Sequence, residues 1–571
     1  MNGEERLAQT VRIPIKKMLH RSEIVERIRA TSYDVCVIGG GASGAGCALD
    51  AQLRGLKTVL VDAGDFGAGT SSASTKLIHG GLRYLQQAIV EWDAGQYRVV
   101  RGALRERGFM LRNAPHLTSV LEFVVPCFSL TEAVYYSVGL KLYDWLAGKA
   151  VLRSSFFLRR TRALARFPNL NGNRLFGAAL YTDGQFDDAR YNLALIRSCS
   201  DAGGDVLNYA AVTGFTKNRQ GRLATAEVEE RQSGTRLSIR AQAFLNATGP
   251  FSDRLREMAC PGIEPRLILS KGVHIVLPLP GSFGNGAVLI PKTEDGRVIF
   301  AIPWQRRLLV GTTETEATLD EVPSVTRAEA EYLLRHLNRY LKRPFHLSEI
   351  VSAMAGVRPL VRSGKRSQTS QIIRDYEIEF EPRSGLISVL GGKWTVYRLM
   401  AEHAVDAVQR AVKGKITTSR TRNYALMGSE RHKIDAAENL AAIHGIASDI
   451  ARHLVDKFGS CAGGVLELVR ADPSLGTRLA PGAPQIAAEV VYCAREEMAM
   501  GIEDTLSRRL GLQSFDWRLA TEAAPAVGNI LARELGWART RTGEEIGLYV
   551  DRIRASAEAL GVDLVHAGST Q

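Results

Sequence analysis

A glycine-rich turn between two short β-rich runs constrains the fold of this chain more than any other feature. Residues 33–38 (YDVCVI) are β-rich, and residues 39–44 (GGGASG) follow at once with the spacing Gly-x-Gly-x-x-Gly. Small residues at helical spacing come next, and a second β-rich run, residues 57–61, ends at Asp62. A strand, a glycine turn, a helix and a second strand in this order predict a βαβ unit that binds a dinucleotide.

Each glycine of this spacing has its own physical role. Gly39 permits the tight turn after the strand, Gly41 lets the backbone approach a pyrophosphate, and Gly44 allows close helix–strand packing. The phosphates would lie at the helix N-terminus, where N–H groups and the positive end of the dipole point at them. Ser43, in this turn, is also predicted to bind the cofactor. Asp62 lies 18 residues beyond Gly44, where an acid can bond both hydroxyls of an adenosine ribose. Such an acid suits FAD or NAD and disfavours NADP, whose 2′-phosphate it would repel. A glycine turn in an unrelated α/β unit is the alternative.

Two later segments favour FAD over NAD. The apolar run 244–246 leads into Ala-Thr-Gly, which resembles the second fingerprint of flavoproteins with two dinucleotide-binding segments. Residues 389–395 (VLGGKWT) form another strand, glycine turn and helix start, and a helix N-terminus there would stabilise negative charge at the N1/O2 edge of a reduced flavin. One site assembled from three distant segments is typical of flavoproteins. The cofactor-binding residues predicted in the two later segments are Ala247, Thr248, Gly249, Gly392, Lys393, Trp394 and Thr395.

The rest of the chain divides by its pattern into two further domains. Strand-like runs recur on both sides of the second fingerprint, and helical periodicity dominates the last third of the chain. We therefore predict an α/β fold with an added α domain: a Rossmann-like two-dinucleotide-binding FAD domain from discontinuous segments, an antiparallel-sheet substrate-binding cap and a C-terminal helical domain. The predicted boundaries are 31–115, 185–260 and 356–410 for the FAD domain, 116–184 and 261–355 for the cap, 411–428 for a linker, 429–571 for the helical domain and 1–30 for an N-terminal extension.

Net charge and cysteine content indicate which partners and which cellular compartment to expect. Lys and Arg total 73 against 60 Asp and Glu, a formal charge of +13, which favours anionic partners such as phosphorylated substrates or acidic lipid headgroups. The sequence has neither zinc-finger spacing nor a concentrated basic tract, so no nucleic-acid partner is predicted.

The seven cysteines include no CxxC pair, which argues against disulfides and against a metal site. No apolar run approaches the roughly 18 residues of a spanning helix, and the first thirty residues lack the features of a signal peptide, so we expect a reduced, cytoplasmic protein.

A loop rich in serine, threonine and glycine completes a set of six motifs. Residues 69–85 (GTSSASTKLIHGGLRYL) carry hydroxyls that can bond a phosphate or a flavin edge. Together with the glycine turn and the motifs KGVH, GTTE, AGVRP and GGKWT, this loop closely resembles the FAD-dependent glycerol-3-phosphate dehydrogenases of respiratory membranes. The resemblance runs in order from about residue 33 to 400, and the helical C-terminal part also fits. An N-terminal extension of about thirty residues and a somewhat long C-terminal region depart from the family pattern.

The resemblance implies a reaction and a cofactor. sn-Glycerol 3-phosphate would be oxidised to dihydroxyacetone phosphate by hydride transfer from C2 to N5 of FAD, and membrane quinone would take the electrons. An oxidase that passes electrons to O₂ is the first alternative. A non-catalytic flavin-binding or membrane-scaffold protein is the alternative from another class. The residues disfavour it, because a phosphate monoester carries nearly two negative charges and several cations lie within glycine-flanked motifs.

The same resemblance implies roles for individual residues. The base is expected to be His274, since histidine titrates near operating pH and its side chain faces opposite to its apolar neighbours; a hydrogen-bonded histidine within a sheet is the alternative. His79 would orient the glycine turn or flank the flavin. Arg358 would hold the C2 oxygen and stabilise alkoxide charge. The predicted catalytic residues are His274, Arg358 and His79; the predicted substrate-binding residues are Arg83, Tyr84, Lys393 and Arg358; the predicted flavin-loop residues are Ser71, Ser72, Thr75 and Lys76.

The segment 135–160 mixes aromatic, leucine and basic residues. This composition suits a helix that lies in an anionic membrane interface, and a core helix with a charged solvent face is the alternative. We predict peripheral attachment to the cytoplasmic face of the inner membrane. A homodimer is left open as a further partner.

Overall fold

The computed structural model describes residues 19–81, 94–281, 283–284, 286–319, 323–362, 376–430 and 435–564. The strands in these ranges are β1 Ser32–Ile38, β2 Thr58–Val61, β3 Leu77–Ile78, β4 Thr118–Cys127, β5 Phe156–Arg159, β6 Gly177–Phe186, β7 Asp205–Leu207, β8 Ala210–Lys217, β9 Leu223–Glu230, β10 Thr235–Asn246, β11 Leu267–Pro278, β12 Ala287–Ile290, β13 Ile299–Trp304, β14 Arg307–Gly311, β15 Thr315–Glu316, β16 Ser352–Val361, β17 Tyr376–Phe380 and β18 Ile387–Gly391. The α-helices are α1 Arg21–Ala30, α2 Ala42–Leu53, α3 Ala94–Asn113, α4 Leu130–Ala147, α5 Arg160–Arg166, α6 Asp188–Asp201, α7 Ser252–Ala259, α8 Arg327–Asn338, α9 Tyr397–Val412, α10 Ala436–His444, α11 Ser448–Phe458, α12 Ala462–Ala471, α13 Ala487–Glu497, α14 Leu512–Phe515, α15 Trp517–Leu535 and α16 Arg539–Leu560.

The first sheet is the dinucleotide-binding layer that the glycine turn predicts. Its strands run in the order β17-β18-β10-β1-β2-β7, and β9 and β8 extend it from β10. β1 lies parallel between β10 and β2, with Val37 opposite both Leu60 and Leu245. Helix α2 packs between α6 and α9. The last four residues of β1, Val35–Ile38, are all buried and apolar, as is typical of a parallel strand inside a sheet.

The second sheet forms the cap layer. β11 lies between β16 and β14, and the sheet continues from β14 through β13, β12 and β4 to β6. Neighbouring strands of this sheet run antiparallel, as predicted, except β4 and β12, which run parallel with Phe123 opposite Ala287. This pair joins strands from two separate stretches of the chain, so no hairpin turn sets their relative direction.

The N-terminal helix and the segment after α9 both pack on the first layer. Helix α1 buries Ile24 and Ile28, and Arg27 forms an ion pair of 3.2 Å with Asp205. After α9, the Ser419 hydroxyl donates to Asp50 at 2.6 Å. The predicted domain boundaries stay predictions.

The C-terminal helices are fixed to both sheets. Trp517 shares one hydrophobic core with Leu308 of the second sheet. Arg509, in the π-helical turn Asp504–Arg509, is fully buried and pairs with Asp65, which lies three residues after Asp62 in the segment that follows β2. No helix in the described ranges is both long enough and apolar enough to cross a bilayer.

Candidate active site

The first two dinucleotide-binding segments are in direct backbone contact at the carboxyl end of β1. Gly39 has a φ of +106°, and a Cβ on it would lie 2.6 Å from the carbonyl oxygen of Ala247. Ala247 N–H in turn donates to the Ile38 carbonyl at 2.8 Å. A Cβ on Gly44 would lie 1.8 Å from the Gly39 carbonyl oxygen. The spacing of the motif therefore has steric causes, because only hydrogen fits at these positions.

The N-terminus of α2 has the character of an anion-binding cradle. Gly41 is its N-cap, and a Cβ there would fill the space 2.8 Å from Ser71 Oγ. Ala42 N–H donates to Ser71 Oγ at 2.9 Å, and Ser43 is half-buried in the first turn of the helix. Bare backbone at a helix N-terminus, with a hydroxyl beside it, fits the pyrophosphate of FAD.

Asp62 directly follows β2, beside this cradle. Its carboxylate accepts N–H bonds from Gly40 at 2.5 Å and Gly64 at 2.8 Å. Burial raises the pKa of Asp62 to about 6, against these hydrogen bonds, which lower it. The acid is thus held in place by backbone on both sides, at the position predicted to bind a ribose.

The third segment joins the serine-rich loop. Trp394 Nε1 donates to the Ser71 carbonyl at 2.8 Å, and His79 N–H donates to Thr395 Oγ1 at 3.3 Å. Lys393 is the half-buried N-cap of the short helical turn Trp394–Val396. Two bonds from one turn therefore hold both ends of the loop 71–79.

Within the loop, Lys76 points to a carboxylate that sequence reasoning missed. Lys76 Nζ donates to the Ser72 carbonyl at 2.8 Å and forms a buried ion pair with Asp188, which also accepts from Ser74 N–H at 3.0 Å. In this structure the predicted cofactor-binding amine is thus committed to protein partners. The available signal was the acidic pair Asp187-Asp188 at the start of α6, 112 residues away in sequence.

His274 lies on β11 and contacts the same loop. It is buried, and its Nε2 is 3.0 Å from Thr75 Oγ1, while Nδ1 has no hydrogen-bond partner among the described residues. Burial, together with the charges of Arg358 and Lys76, lowers its pKa to about 3. This differs from the expectation of a base that titrates near operating pH, because the sequence shows neither the burial nor the two neighbouring cations.

Arg358 lies on β16, the strand next to β11. Its guanidinium extends over Gly272, where a Cβ would be 2.1 Å from Nη2. It donates to Thr312 Oγ1 at 2.8 Å and to the Thr313 carbonyl at 3.3 Å. The motifs KGVH, GTTE and AGVRP thus form one cluster around a fixed cation.

The described residues do not cover the whole predicted site. Arg83 and Tyr84 lie outside them. Thr248 and Gly249 follow β10 beside the glycine turn, and the Thr248 hydroxyl donates to Asn246 at 2.8 Å. Within the described ranges, no cluster of three or more His, Cys, Asp or Glu side chains is arranged to hold a metal ion. The catalytic and binding roles of these residues stay predictions.

Comparison with known proteins defines the class. Residues 34–398 match the FAD dependent oxidoreductase family, and residues 419–542 match the C-terminal domain of alpha-glycerophosphate oxidase. The solved structure of the glycerol-3-phosphate dehydrogenase from Bacillus halodurans, in complex with FAD, superimposes with a TM-score of 0.76 and 28% identity, over 94% of this chain and 97% of that one. The fold and its dinucleotide-binding segments are those of an FAD-dependent oxidoreductase with a C-terminal helical domain, as predicted.

Curated relatives identify the family within that class. The probable mitochondrial glycerol-3-phosphate dehydrogenase of Caenorhabditis elegans is 40% identical over 543 residues, which is 93% of this chain and 75% of the relative. The mitochondrial glycerol-3-phosphate dehydrogenase of Mus musculus is 39% identical over 90% of this chain and 72% of the relative. The chain belongs to the family of FAD-dependent glycerol-3-phosphate dehydrogenases, and the predicted cofactor, FAD, is confirmed.

Proposed function

We propose that this enzyme oxidises sn-glycerol 3-phosphate to dihydroxyacetone phosphate and passes the electrons to a membrane quinone. The observation that carries the substrate is the cluster around Arg358, whose guanidinium donates to Thr312 and Thr313 beside His274. His274 contacts the loop 71–79, and that loop is bonded to the turn of which Lys393 is the N-cap. The names of the relatives supply the same substrate.

The three dinucleotide-binding segments fit FAD. Gly41 and the α2 N-terminus would hold its pyrophosphate, and Asp62 its adenosine ribose. FAD, when bound, supplies a two-electron acceptor for the hydride that leaves C2. The protein's own task is to bind the phosphate, orient C2 and take the hydroxyl proton.

Lys393 would bind the phosphate of the substrate, and Arg358 would hold the C2 oxygen close to that phosphate. A guanidinium can donate two hydrogen bonds at once to neighbouring oxygens of the substrate, and an ammonium adds a point charge. Arg83 and Tyr84 are proposed to complete this set. A dianionic phosphate near Arg358 would offset the charge that lowers the pKa of His274, so substrate binding should raise that pKa and prepare the neutral imidazole to accept a proton.

The reductive half-reaction tests the substrate. Under anaerobic conditions, glycerol 3-phosphate should bleach the flavin absorbance at about 450 nm, and glycerol should not. Arg358→Ala should abolish the bleaching, whereas Arg327→Ala, which removes an exposed arginine paired with Glu331 on the surface of α8, should leave it intact. No bleaching in the unaltered, FAD-loaded enzyme would refute the proposal.

Helix α4 supports the membrane part of the proposal. Its inner face buries Ala133, Leu140 and Tyr143. Its outer face exposes side chains that together we call the apolar helix face: Leu130, Val134, Tyr135, Val138 and Trp145.

Trp145, the most exposed of these side chains, has 74% of its surface exposed. The nearby cations Lys141, Arg159 and Arg160 are also exposed. Aromatic and aliphatic side chains with basic neighbours suit the interface of an anionic bilayer.

Vesicle binding tests this surface. The enzyme should sediment with phosphatidylglycerol vesicles, less so at high salt, and Val138→Glu should weaken this binding at least about tenfold. Its activity with a soluble electron acceptor should be unchanged. Leu548→Glu, at an equally exposed apolar side chain on α16, is the matched control and should bind as the unaltered enzyme does. Equal loss in both variants would refute the apolar helix face as the docking site.

An oxidase is the second candidate, because residues 419–542 match a domain described from alpha-glycerophosphate oxidase. Parallel assays of ubiquinone reduction and peroxide release separate the two. Peroxide release at the rate of substrate consumption, without quinone reduction, would favour the oxidase.

A further inference from the structure

Two hydroxyl groups hold the turn that carries His79. His79 N–H donates to Thr395 Oγ1 at 3.3 Å, and the next amide, Gly80 N–H, donates to the Tyr143 hydroxyl at 2.8 Å. Thr395 belongs to the third dinucleotide-binding segment, whereas Tyr143 comes from the inner face of α4. The turn is therefore fixed between two elements that are distant in sequence.

A buried network orients the Tyr143 hydroxyl. It donates to Asp183 at 2.9 Å, and Asp183 accepts from Arg107 at 2.6 Å. Arg107 also donates to the Ala150 carbonyl at 2.6 Å. Burial raises the pKa of Tyr143 well above its ordinary value, so the hydroxyl keeps its proton. Because that proton is directed to Asp183, an oxygen lone pair is left to face the Gly80 amide.

The turn has no room to move toward α4. A Cβ on Gly80 would lie 2.8 Å from the Tyr143 hydroxyl and 2.7 Å from Leu104 Cγ. Gly80 itself is buried, so its N–H has no water to replace a lost acceptor. Loss of the Tyr143 oxygen would leave this donor unsatisfied, and the turn would have to shift to satisfy it.

We propose that Tyr143 is a positioning residue: its hydroxyl fixes the Gly80 amide and thereby the placement of His79 in the active site. The inference rests on the proposed function, in which His79 lies beside the reacting atoms. It also ties His79 to α4, whose outer side is the apolar helix face. Asp183 and Arg107 act one step further away, by setting the direction of the tyrosine proton.

The test compares Tyr143→Phe with Tyr181→Phe in the FAD-loaded enzyme. Both tyrosines are buried, and their rings pack edge-on with centroids 6.3 Å apart. Within the described residues, the Tyr181 hydroxyl makes no hydrogen bond to the turn, so the control removes a buried hydroxyl from the same cluster without removing the acceptor.

The first readout is hydrogen–deuterium exchange resolved at Gly80, which needs no substrate. Exchange should be at least about tenfold faster in Tyr143→Phe and unchanged in Tyr181→Phe. Equal exchange in the two variants would overturn the role of the hydroxyl in holding the turn.

The second readout is the split between kcat and KM for glycerol 3-phosphate. Tyr143→Phe should lower kcat at least about fivefold with KM within about twofold, because a displaced His79 affects the reacting centre more than substrate capture. FAD content should match that of Tyr181→Phe. A kcat loss that follows FAD loss, or is equal in both variants, would show a structural role only. An unaltered enzyme that ignores glycerol 3-phosphate would refute the proposed function, while the exchange result would still decide whether Tyr143 holds the turn.

Discussion

Adding one methyl group at Gly44 should separate α2 from β1 and release FAD. A Cβ at this position would lie 1.8 Å from the Gly39 carbonyl oxygen, and Cβ atoms essentially never approach other heavy atoms closer than 3.0 Å. Helix and turn must therefore separate by at least about 1.2 Å, the difference of these distances. The contact is with backbone, so no side chain can rotate away.

The free-energy balance follows from two opposing effects. Alanine is favoured over glycine inside a helix by about 1 kcal/mol. Overpacking against a rigid neighbour costs about 1–3 kcal/mol, and a clash this short belongs at the upper end or beyond. We expect Gly44→Ala to destabilise the protein by about 2 kcal/mol or more and to lower FAD content well below one per chain.

Gly102→Ala is the matched control. Gly102 also lies inside a helix, α3, but a Cβ there would meet no heavy atom within 4 Å among the described residues, apart from its chain neighbours and the backbone of its own helix. The helix preference then acts alone, so this variant should be as stable as the unaltered protein or more so. Both variants are compared by two measurements: the FAD content, from the ratio of flavin to protein absorbance, and the midpoint of urea unfolding. A Gly44→Ala protein with full FAD content and an unshifted midpoint would refute the reasoning.

Three further predictions concern charge. The pKa of His274 falls from about 6.5 to about 3 on folding, so its contribution to stability is complete above pH 6.5 and is lost as pH falls toward 3, by about 1.4 kcal/mol per pH unit. In His274→Asn, the urea midpoint should therefore depend less on pH between pH 6.5 and 4.5. A pH dependence equal to that of the unaltered protein would contradict this. Arg358→Lys keeps the charge but loses the planar fork, so KM for glycerol 3-phosphate should rise at least about tenfold in steady-state assays, and an unchanged KM would exclude a bidentate contact. Asp65→Ala leaves Arg509 buried without its carboxylate and should lower the free energy of unfolding by about 3–5 kcal/mol, measured by urea denaturation. Arg452→Ala, at an ion pair with 60% of each side chain exposed, should change it by no more than about 0.5 kcal/mol. Equal effects of the two variants would refute the importance of burial.

The alternatives for the aromatic segment show where sequence reasoning stops. Composition alone left a core helix and an interfacial helix open for residues 135–160. The structure shows that α4 has one buried face, with Tyr143, and one exposed apolar face, with Trp145, and contact of the exposed face with a membrane stays a prediction. Which apolar residues of a helix are covered depends on what packs against it, and that neighbour, β6 with Asp183, lies 40 residues further along the chain.

The sequence by itself determined the features that local backbone geometry demands. The glycine turn and the βαβ unit could be predicted from the spacing of Gly39, Gly41 and Gly44, and FAD could be predicted once the two later segments were added to that spacing. The cations within glycine-flanked motifs could be found in the same way, because the residue types alone carry their charge.

The tertiary structure decided which of these groups meet and how they titrate. Thr75 and His274 are 199 residues apart in sequence, and Gly80 and Tyr143 are 63 apart. The expectation of a near-neutral histidine failed because burial and two cations from other motifs lower its pKa. Hydrogen bonds and Coulomb interactions depend on distance in space, and only the folded chain brings these residues within reach of one another.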